Sequence, residues 1–394
     1  MKKQIWKTEK EKELNPAILE YISGEDLELD KKLIPYDIKV NKAHAKMLAK
    51  CKLISWEDYS KIKKALEEFP KNFELKKELE DVHMNIENYL IEKLGPVGEK
   101  IHTAKSRNDQ VMTDLNLYMK EKLAELIGDA IDLKKKFAEL SKKYAKTEMP
   151  AYTHMQQAQA ITFGYWFDCY ANLIEKDLEN LKFCLQKADT SPLGAGAVAG
   201  TSLPIDKNFT AKELGFSKTF ENALAAISSR GETETEVLFA LSMLMNHLGK
   251  MATDLQLYST KEFGMIKLGD CISTGSSMLP QKKNPDIFEM VRAKSAELIG
   301  MLVENLVLLK GLPSGYNRDL QLTKKNIIKG FEIALKTAKV MGIAVSSIEP
   351  NTKRMEELAK ECTAIEDVNK LVAKGVPFRQ AYKKIRENLI NRCK

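Results

Sequence analysis

Four segments of this 394-residue chain concentrate polar side chains that could do chemistry. They are Thr103-Ala-Lys-Ser-Arg-Asn-Asp-Gln110, Tyr152-Thr-His-Met-Gln156, Gly275-Ser-Ser-Met-Leu-Pro-Gln-Lys-Lys-Asn-Pro285, and Tyr316-Asn-Arg-Asp-Leu-Gln321 with Lys324 one turn beyond. Together they supply cations, amides, hydroxyls and one imidazole. That inventory suits carboxylates: Arg and Lys bring charge, and Asn, Gln, Ser and Thr orient oxygens. Each segment also has a plain structural reading. Residues 103–109 could cap a helix, His154 could be a structural histidine, and residues 275–285 could be a surface loop. Gly194-x-Gly196-x-x-x-Gly200 lacks the spacing of a phosphate loop, so its glycines are expected to let backbones approach closely.

Several chemistries are not indicated. The five histidines, His44, His83, His102, His154 and His247, show no metal-ligand spacing, so metal catalysis is not expected. No Gly-x-Ser-x-Gly elbow marks a hydrolase. The net charge of +7 comes without a dense basic tract, so no nucleic-acid partner is expected. The six cysteines form no Cys-x-x-Cys pair, which fits a reducing compartment. Met1 to Lys12 is charged and lacks the apolar core of a signal peptide. No apolar run reaches the length of about 18 residues that a membrane span needs. A cytoplasmic protein is expected.

The elements that must position these segments are long helices. Leu115, Met119, Leu123, Leu126, Ala130, Leu133, Phe137, Leu140 and Tyr144 recur at steps of four and three, which only a helix keeps on one side. A second stripe runs Val237, Leu241, Leu244, Leu248, Met251, Leu255 and Tyr258, and a shorter third runs Ile299, Leu302, Leu306 and Leu309. Such seams pack best as a bundle. Strand signals are sparse, and no Asn-Gly or Asp-Gly turn announces a hairpin. Pro150 is read as the end of the first long helix. The expected fold class is mainly α, in three parts: an N-terminal helical domain over 1–103, a central long-helix bundle over 104–347 that carries the polar loops, and a small, shortened C-terminal helical domain over 348–394.

The 275–285 segment resembles the signature loop of the fumarase/aspartase superfamily. Thr103 to Gln110, followed by Val111-Met-Thr-Asp-Leu115, resembles its argininosuccinate lyase branch. So do Tyr152 to Gln156, Leu193-Gly-Ala-Gly-Ala197 with Gly200-Thr-Ser202, and Tyr316 to Gln321. Pro35-Tyr-Asp-Ile38 and Val376-Pro-Phe-Arg-Gln380 extend the likeness over roughly residues 30–382. The chain departs from the family where Trp6 is followed by Lys7 and Thr8, at Leu279, and at Ala225, Ser229 and Gly231, where carboxylates are usual.

The resemblance implies a homotetramer around long central helices, with active sites shared between subunits. It implies cofactor-free, reversible β-elimination of argininosuccinate to arginine and fumarate. It places catalysis on His154, Ser276 and Lys282. Ser276 is the family's base and His154 suits the departing nitrogen, but the order of these two roles stays open at this point. Substrate binding would fall to Ser23, Arg107, Asn108, Thr153, Asn284, Tyr316, Gln321 and Lys324, with His83 and Ser277 in support. Two alternatives accompany this reading: a superfamily lyase for another succinyl adduct such as adenylosuccinate, and a catalytically silent, crystallin-like structural protein.

Overall fold

The computed structural model describes residues 14–392, so the Met1 to Lys12 stretch and the Trp6 departure lie outside the described residues. The fold is mainly helical. Five long helices dominate: Arg107–Lys143, Phe163–Ala188, Glu232–Tyr258, Asp286–Leu309 and Thr323–Ser346. Contacts divide the chain into two compact units. The first comprises the chain up to Ile127, Glu179–Ser242 and Glu297–Ala334; the second comprises Gly128–Leu178, Met243–Ala296 and the chain from Leu335 onward.

In the first unit, shorter helices precede the long ones. Pro16–Asp30 starts with Asn15 accepting the Ala17 N–H at 2.9 Å, and proline at its first position costs no hydrogen bond. Trp56–Glu67 opens with a reciprocal capping box between Ser55 and Asp58. Val82–Leu94 is capped by Asp81, whose side chain accepts the Met84 N–H at 2.8 Å. The core includes Leu115, Met119, Leu123 and Leu126 of the first stripe, all buried. Tyr118 makes edge contacts with Tyr36 at 5.8 Å and Phe331 at 5.9 Å.

In the second unit the stripe continues through buried Ala130, Leu133 and Phe137, and the second stripe buries Leu244, Leu248, Met251 and Leu255. Phe163, Trp166 and Phe167 fill the space beside them. A mostly buried carboxylate, Asp254, is satisfied within this apolar layer by the Trp166 indole N–H at 3.0 Å and the Tyr170 hydroxyl at 2.8 Å.

Three expectations change. The Arg107–Lys143 helix stops seven residues before Pro150, which lies instead in a strand, Glu148–Thr153. That strand pairs with Gln156–Thr162 in an antiparallel hairpin whose register shifts between Pro150 and Tyr152. An irregularity of this kind is where a strand tolerates a residue without an N–H. The hairpin was invisible because its two-residue turn is His154-Met155, with φ of 53° and 60°, and not Asn-Gly. The third apolar stripe is not core: Ile299 and Leu306 are exposed, as are Met290, Val303 and Val307 on the same helix.

Candidate active site

The Ser-Arg-Asn-Asp-Gln motif begins the Arg107–Lys143 helix, just after Ala104, which sits at φ 61°. Asp109 is the organiser of this corner. One carboxylate oxygen accepts the Ser106 N–H at 2.9 Å; the other accepts the N–H groups of Gly194 at 3.0 Å and Gly196 at 2.8 Å. Burial pushes its pKa up to about 6 against the pull of those three donors. Gly196 has φ 61°, and a Cβ there would stand 2.8 Å from the Gly200 carbonyl oxygen. The glycines therefore serve close backbone approach, as expected, and Asn108 completes the joint by donating to the Ala197 carbonyl at 3.3 Å.

This joint borders a cleft of about 130 Å³. Arg107, Asn108, Tyr316, Gln321, Lys324 and His83 all line it, so the structure brings six of the sequence-derived residues together. Arg107 is held by Asp81, its Nη1 2.8 Å from the carboxylate. Burial opposes the charge on Arg107, but Asp81 more than offsets it and raises the pKa. Gln321 donates to the Ile22 carbonyl at 3.0 Å, tying the 316–324 segment to the first helix. Lys324 is fully buried between Asp26, at 2.7 Å, and Asp30. Burial would strip its proton; these two carboxylates keep it charged.

Ser23 does not line the cleft. It is buried, and its hydroxyl donates back to the Leu19 carbonyl at 2.8 Å. Asp26, one turn further on, takes the place at the wall. Arg230 also lines the cleft and was missed by sequence reasoning. It is buried, its guanidinium lies 5.0 Å from the centre of the Tyr316 ring, and its Nε has no hydrogen-bond partner among the described residues. The signals were available: a lone arginine beside Gly231, and acidic residues at 26 and 30 on one helix face.

Behind the cleft, His83 Nδ1 meets Asp37 at 3.0 Å and Asp114 at 3.4 Å. Burial works against a charged His83, but Asp37 holds its pKa above the ordinary value. Burial and the charge of Asp37 drive Asp114 well above the carboxylate range, so Asp114 keeps its proton. The donor atoms of Asp37, His83 and Asp114 lie within 4.8 Å of one another. Asp37 already accepts from Asn41 at 2.8 Å and from Gln110, and buried Lys105 acts on the same carboxylates. This is the environment of a shared proton more than of a cation.

The other sequence-derived residues belong to the second unit, on two loops. Thr153 and His154 are exposed at the tip of the hairpin, and Tyr152 anchors it against Phe263 at 5.5 Å. His154 occupies a left-handed conformation that a non-glycine residue adopts only at a cost, roughly 1 kcal/mol or more. Ser276, Ser277, Lys282 and Asn284 lie on a loop pinched at its base by the Thr274–Asn284 pair, with N–H to carbonyl bonds of 3.2 and 2.8 Å. Within it, the Ser276 hydroxyl oxygen accepts two backbone N–H groups, from Met278 at 3.3 Å and Leu279 at 3.0 Å. Asn284 donates to the Gly275 carbonyl at 3.3 Å. Ser277 and Lys282 are exposed, and Lys282 borders a larger open cleft.

The first unit thus carries a cation-lined cleft, and the second carries a serine oxygen cradled by backbone N–H groups. The family model described as Lyase matches residues 15–300. The chain belongs to the argininosuccinate lyase family. It is 42% identical over 368 residues to the argininosuccinate lyase of Sulfurihydrogenibium sp., covering 91% of this chain and 79% of that protein. It is 38% identical over 389 residues to the argininosuccinate lyase of Pelotomaculum thermopropionicum, covering 97% and 84%. Among solved structures, EDDS lyase in complex with formate superposes with a TM-score of 0.84 at 24% identity, covering 97% of this chain and 77% of that one. A fumarate lyase:delta crystallin from Brucella melitensis gives 0.78 at 22% identity, covering 92% and 85%. These two likenesses show the fold.

Proposed function

We propose that this protein is an argininosuccinate lyase, catalysing the reversible β-elimination of argininosuccinate to L-arginine and fumarate in arginine biosynthesis. Family membership at this identity favours that substrate over another succinyl adduct. The observation that carries the mechanism is the Ser276 hydroxyl oxygen with its two backbone N–H donors. A serine is a poor base unless its alkoxide is stabilised, and fixed N–H dipoles do that without reorganising.

In this reading Ser276 takes the proton from the carbon beside a carboxylate. The resulting charge spreads onto that carboxylate, where Lys282 and Asn284 meet it. The carbon–nitrogen bond then breaks, its electrons go to the departing guanidino nitrogen as the double bond of fumarate forms, and His154 delivers a proton to that nitrogen. An imidazole suits this step because its pKa lies near the working pH. Ser23, Arg107, Asn108, Thr153, Tyr316, Gln321 and Lys324 hold the substrate, with His83 and Ser277 in support. No cofactor takes part.

The protein acts as a cytoplasmic homotetramer with active sites shared between subunits. The exposed apolar face of Asp286–Leu309, with Ile299, Val303, Leu306 and Val307, supports burial against another copy. Among the described residues no helix is long and apolar enough to cross a membrane. The division into 1–103, 104–347 and 348–394 belongs to the same reading. Purified protein that releases fumarate and arginine in equal amounts from argininosuccinate would bear the function out; release only from adenylosuccinate would transfer it to the neighbouring branch.

A further inference from the structure

Glu80, between Leu79 and the capping Asp81, is held in a conformation that its residue type resists, and it has no part in the steps above. It sits at φ 61° and ψ −43°, and the Asp81 N–H donates across it to the Leu79 carbonyl at 2.7 Å. That is a γ-turn with positive φ at its centre, a rare and costly turn for a residue with a Cβ. The surroundings enforce it. Asn85, fully buried on Val82–Leu94, accepts the Lys76 N–H at 2.7 Å. It also donates to the Lys76 carbonyl at 3.2 Å and the Asp81 carbonyl at 2.8 Å, so one amide closes both ends of the segment. The Val82 N–H donates to Asp30 at 2.9 Å, and Asp30 in turn pairs with Lys324.

What the turn presents is a carboxylate. Glu80 is 5% exposed, and its Oε2 lies 3.8 Å from Arg107 Nη1 and 3.7 Å from Arg318 Nη2. The two arginines come from different motifs, 103–110 and 316–321, and both line the cleft. Asp81 also holds Arg107 at 2.8 Å, and Arg318 Nη2 also donates to the Ile22 carbonyl at 3.2 Å. A single buried oxygen therefore stands within ion-pair distance of two like charges that would otherwise repel each other along the cleft wall.

We propose that Glu80 is a positioning residue for turnover: its carboxylate ties Arg107 to Arg318, fixing Arg107 for the substrate, and the γ-turn is the strain accepted to put it there. The proposal rests on the lyase reading above, in which Arg107 holds the substrate in the ground state and the transition state alike. Loss of the tie should therefore appear in KM and leave kcat nearly unchanged.

The test is steady-state argininosuccinate turnover by full-length Glu80→Gln, Glu80→Ala and Glu80→Gly, each with its denaturation midpoint. Gln keeps the shape and removes the charge. Ala and Gly remove the side chain, and of these only Gly accepts positive φ without strain. KM should rise roughly tenfold in all three, with kcat within about threefold of the wild type. The glycine midpoint should lie above the alanine midpoint. A merely structural Glu80 would make KM follow the midpoints, glycine lying nearer the wild type than alanine, and that would overturn the proposal. So would a wild-type KM in Glu80→Gln. Arg318→Gln, at a half-exposed side chain, reads the tie from its other end even if the Glu80 variants fail to fold. It should raise KM severalfold and add little on top of Glu80→Gln, whereas a wild-type KM, or effects that simply multiply, would show that no tie exists. If argininosuccinate gives no fumarate, the functional reading fails separately. Crystal structures of the wild type and Glu80→Gln then decide the tie: the two guanidinium groups should move apart in the variant, and unmoved groups would overturn it.

Discussion

Lowering the pH from 7 to 5 should loosen the segment that leads into the Ser-Arg-Asn-Asp-Gln motif, through His44. This histidine is fully buried on the Ile34–Lys50 helix, and its Nε2 lies 2.8 Å from the Thr103 carbonyl oxygen. The neutral ring donates that bond, while buried Nδ1 has no partner among the described residues. Burial first, then the charge of Lys105, lowers the His44 pKa to about 3, against an ordinary value near 6.5. With the folded value depressed, the unfolded state takes up the proton first. The stabilisation from neutral His44 is therefore complete above about pH 6.5 and is lost as the pH falls toward 3. Between pH 7 and 5 the loss works out at roughly 2 kcal/mol, and it hardly depends on the folded value as long as that lies below 5. Native-state hydrogen exchange across residues 40–50 and 103–110 would read it as a fall of about thirtyfold in protection, after correction for intrinsic rates. His44→Gln keeps an N–H donor but does not titrate, so its protection should lack that fall. Equal pH dependence in the two proteins would refute the reasoning.

Other perturbations follow from backbone geometry. Gly196→Ala should destabilise the protein by at least roughly 1 kcal/mol, since it adds a Cβ at positive φ against the Gly200 carbonyl. Gly128→Ala is the control: it lies inside the Arg107–Lys143 helix with open space around it, and should stabilise by about 0.5–1 kcal/mol. Denaturant midpoints of the two variants should move in opposite directions. Met155→Gly removes a strained residue from the hairpin turn, where Met155 is largely exposed, and should gain roughly 0.5–1 kcal/mol with turnover kept. A clear loss of stability in that variant would show that the left-handed turn is not a source of strain.

The helical frame was legible because its stripes are long and regular. Leu115 to Phe137 and Val237 to Tyr258 could lie nowhere but on one buried side of a helix. The same periodicity could not tell a buried side from an exposed one, which is why the exposed Ile299 and Leu306 read identically. The hairpin escaped notice because tertiary packing, with Tyr152 on Phe263, holds a His-Met pair where turn chemistry alone would ask for Asn-Gly. Of the candidate site, the loop motifs carried their own signal: charged and amide side chains in a fixed order. Arg230 carried only a faint one, a lone arginine beside Gly231, and becomes significant where burial leaves its Nε without a partner among the described residues. The Ser23 hydroxyl donates to the Leu19 carbonyl within its own helix, a local bond that a sequence does not announce.

The most direct measurement compares fumarate release from argininosuccinate by the wild type and by Ser276→Ala, each shown to be folded and equally assembled. The account predicts stoichiometric fumarate and arginine from the wild type. Turnover should be lower by orders of magnitude in Ser276→Ala, because the hydroxyl oxygen cradled by the Met278 and Leu279 N–H groups is gone. Full turnover by Ser276→Ala would contradict the assignment of the base, and a folded wild type that yields no fumarate would contradict the function itself.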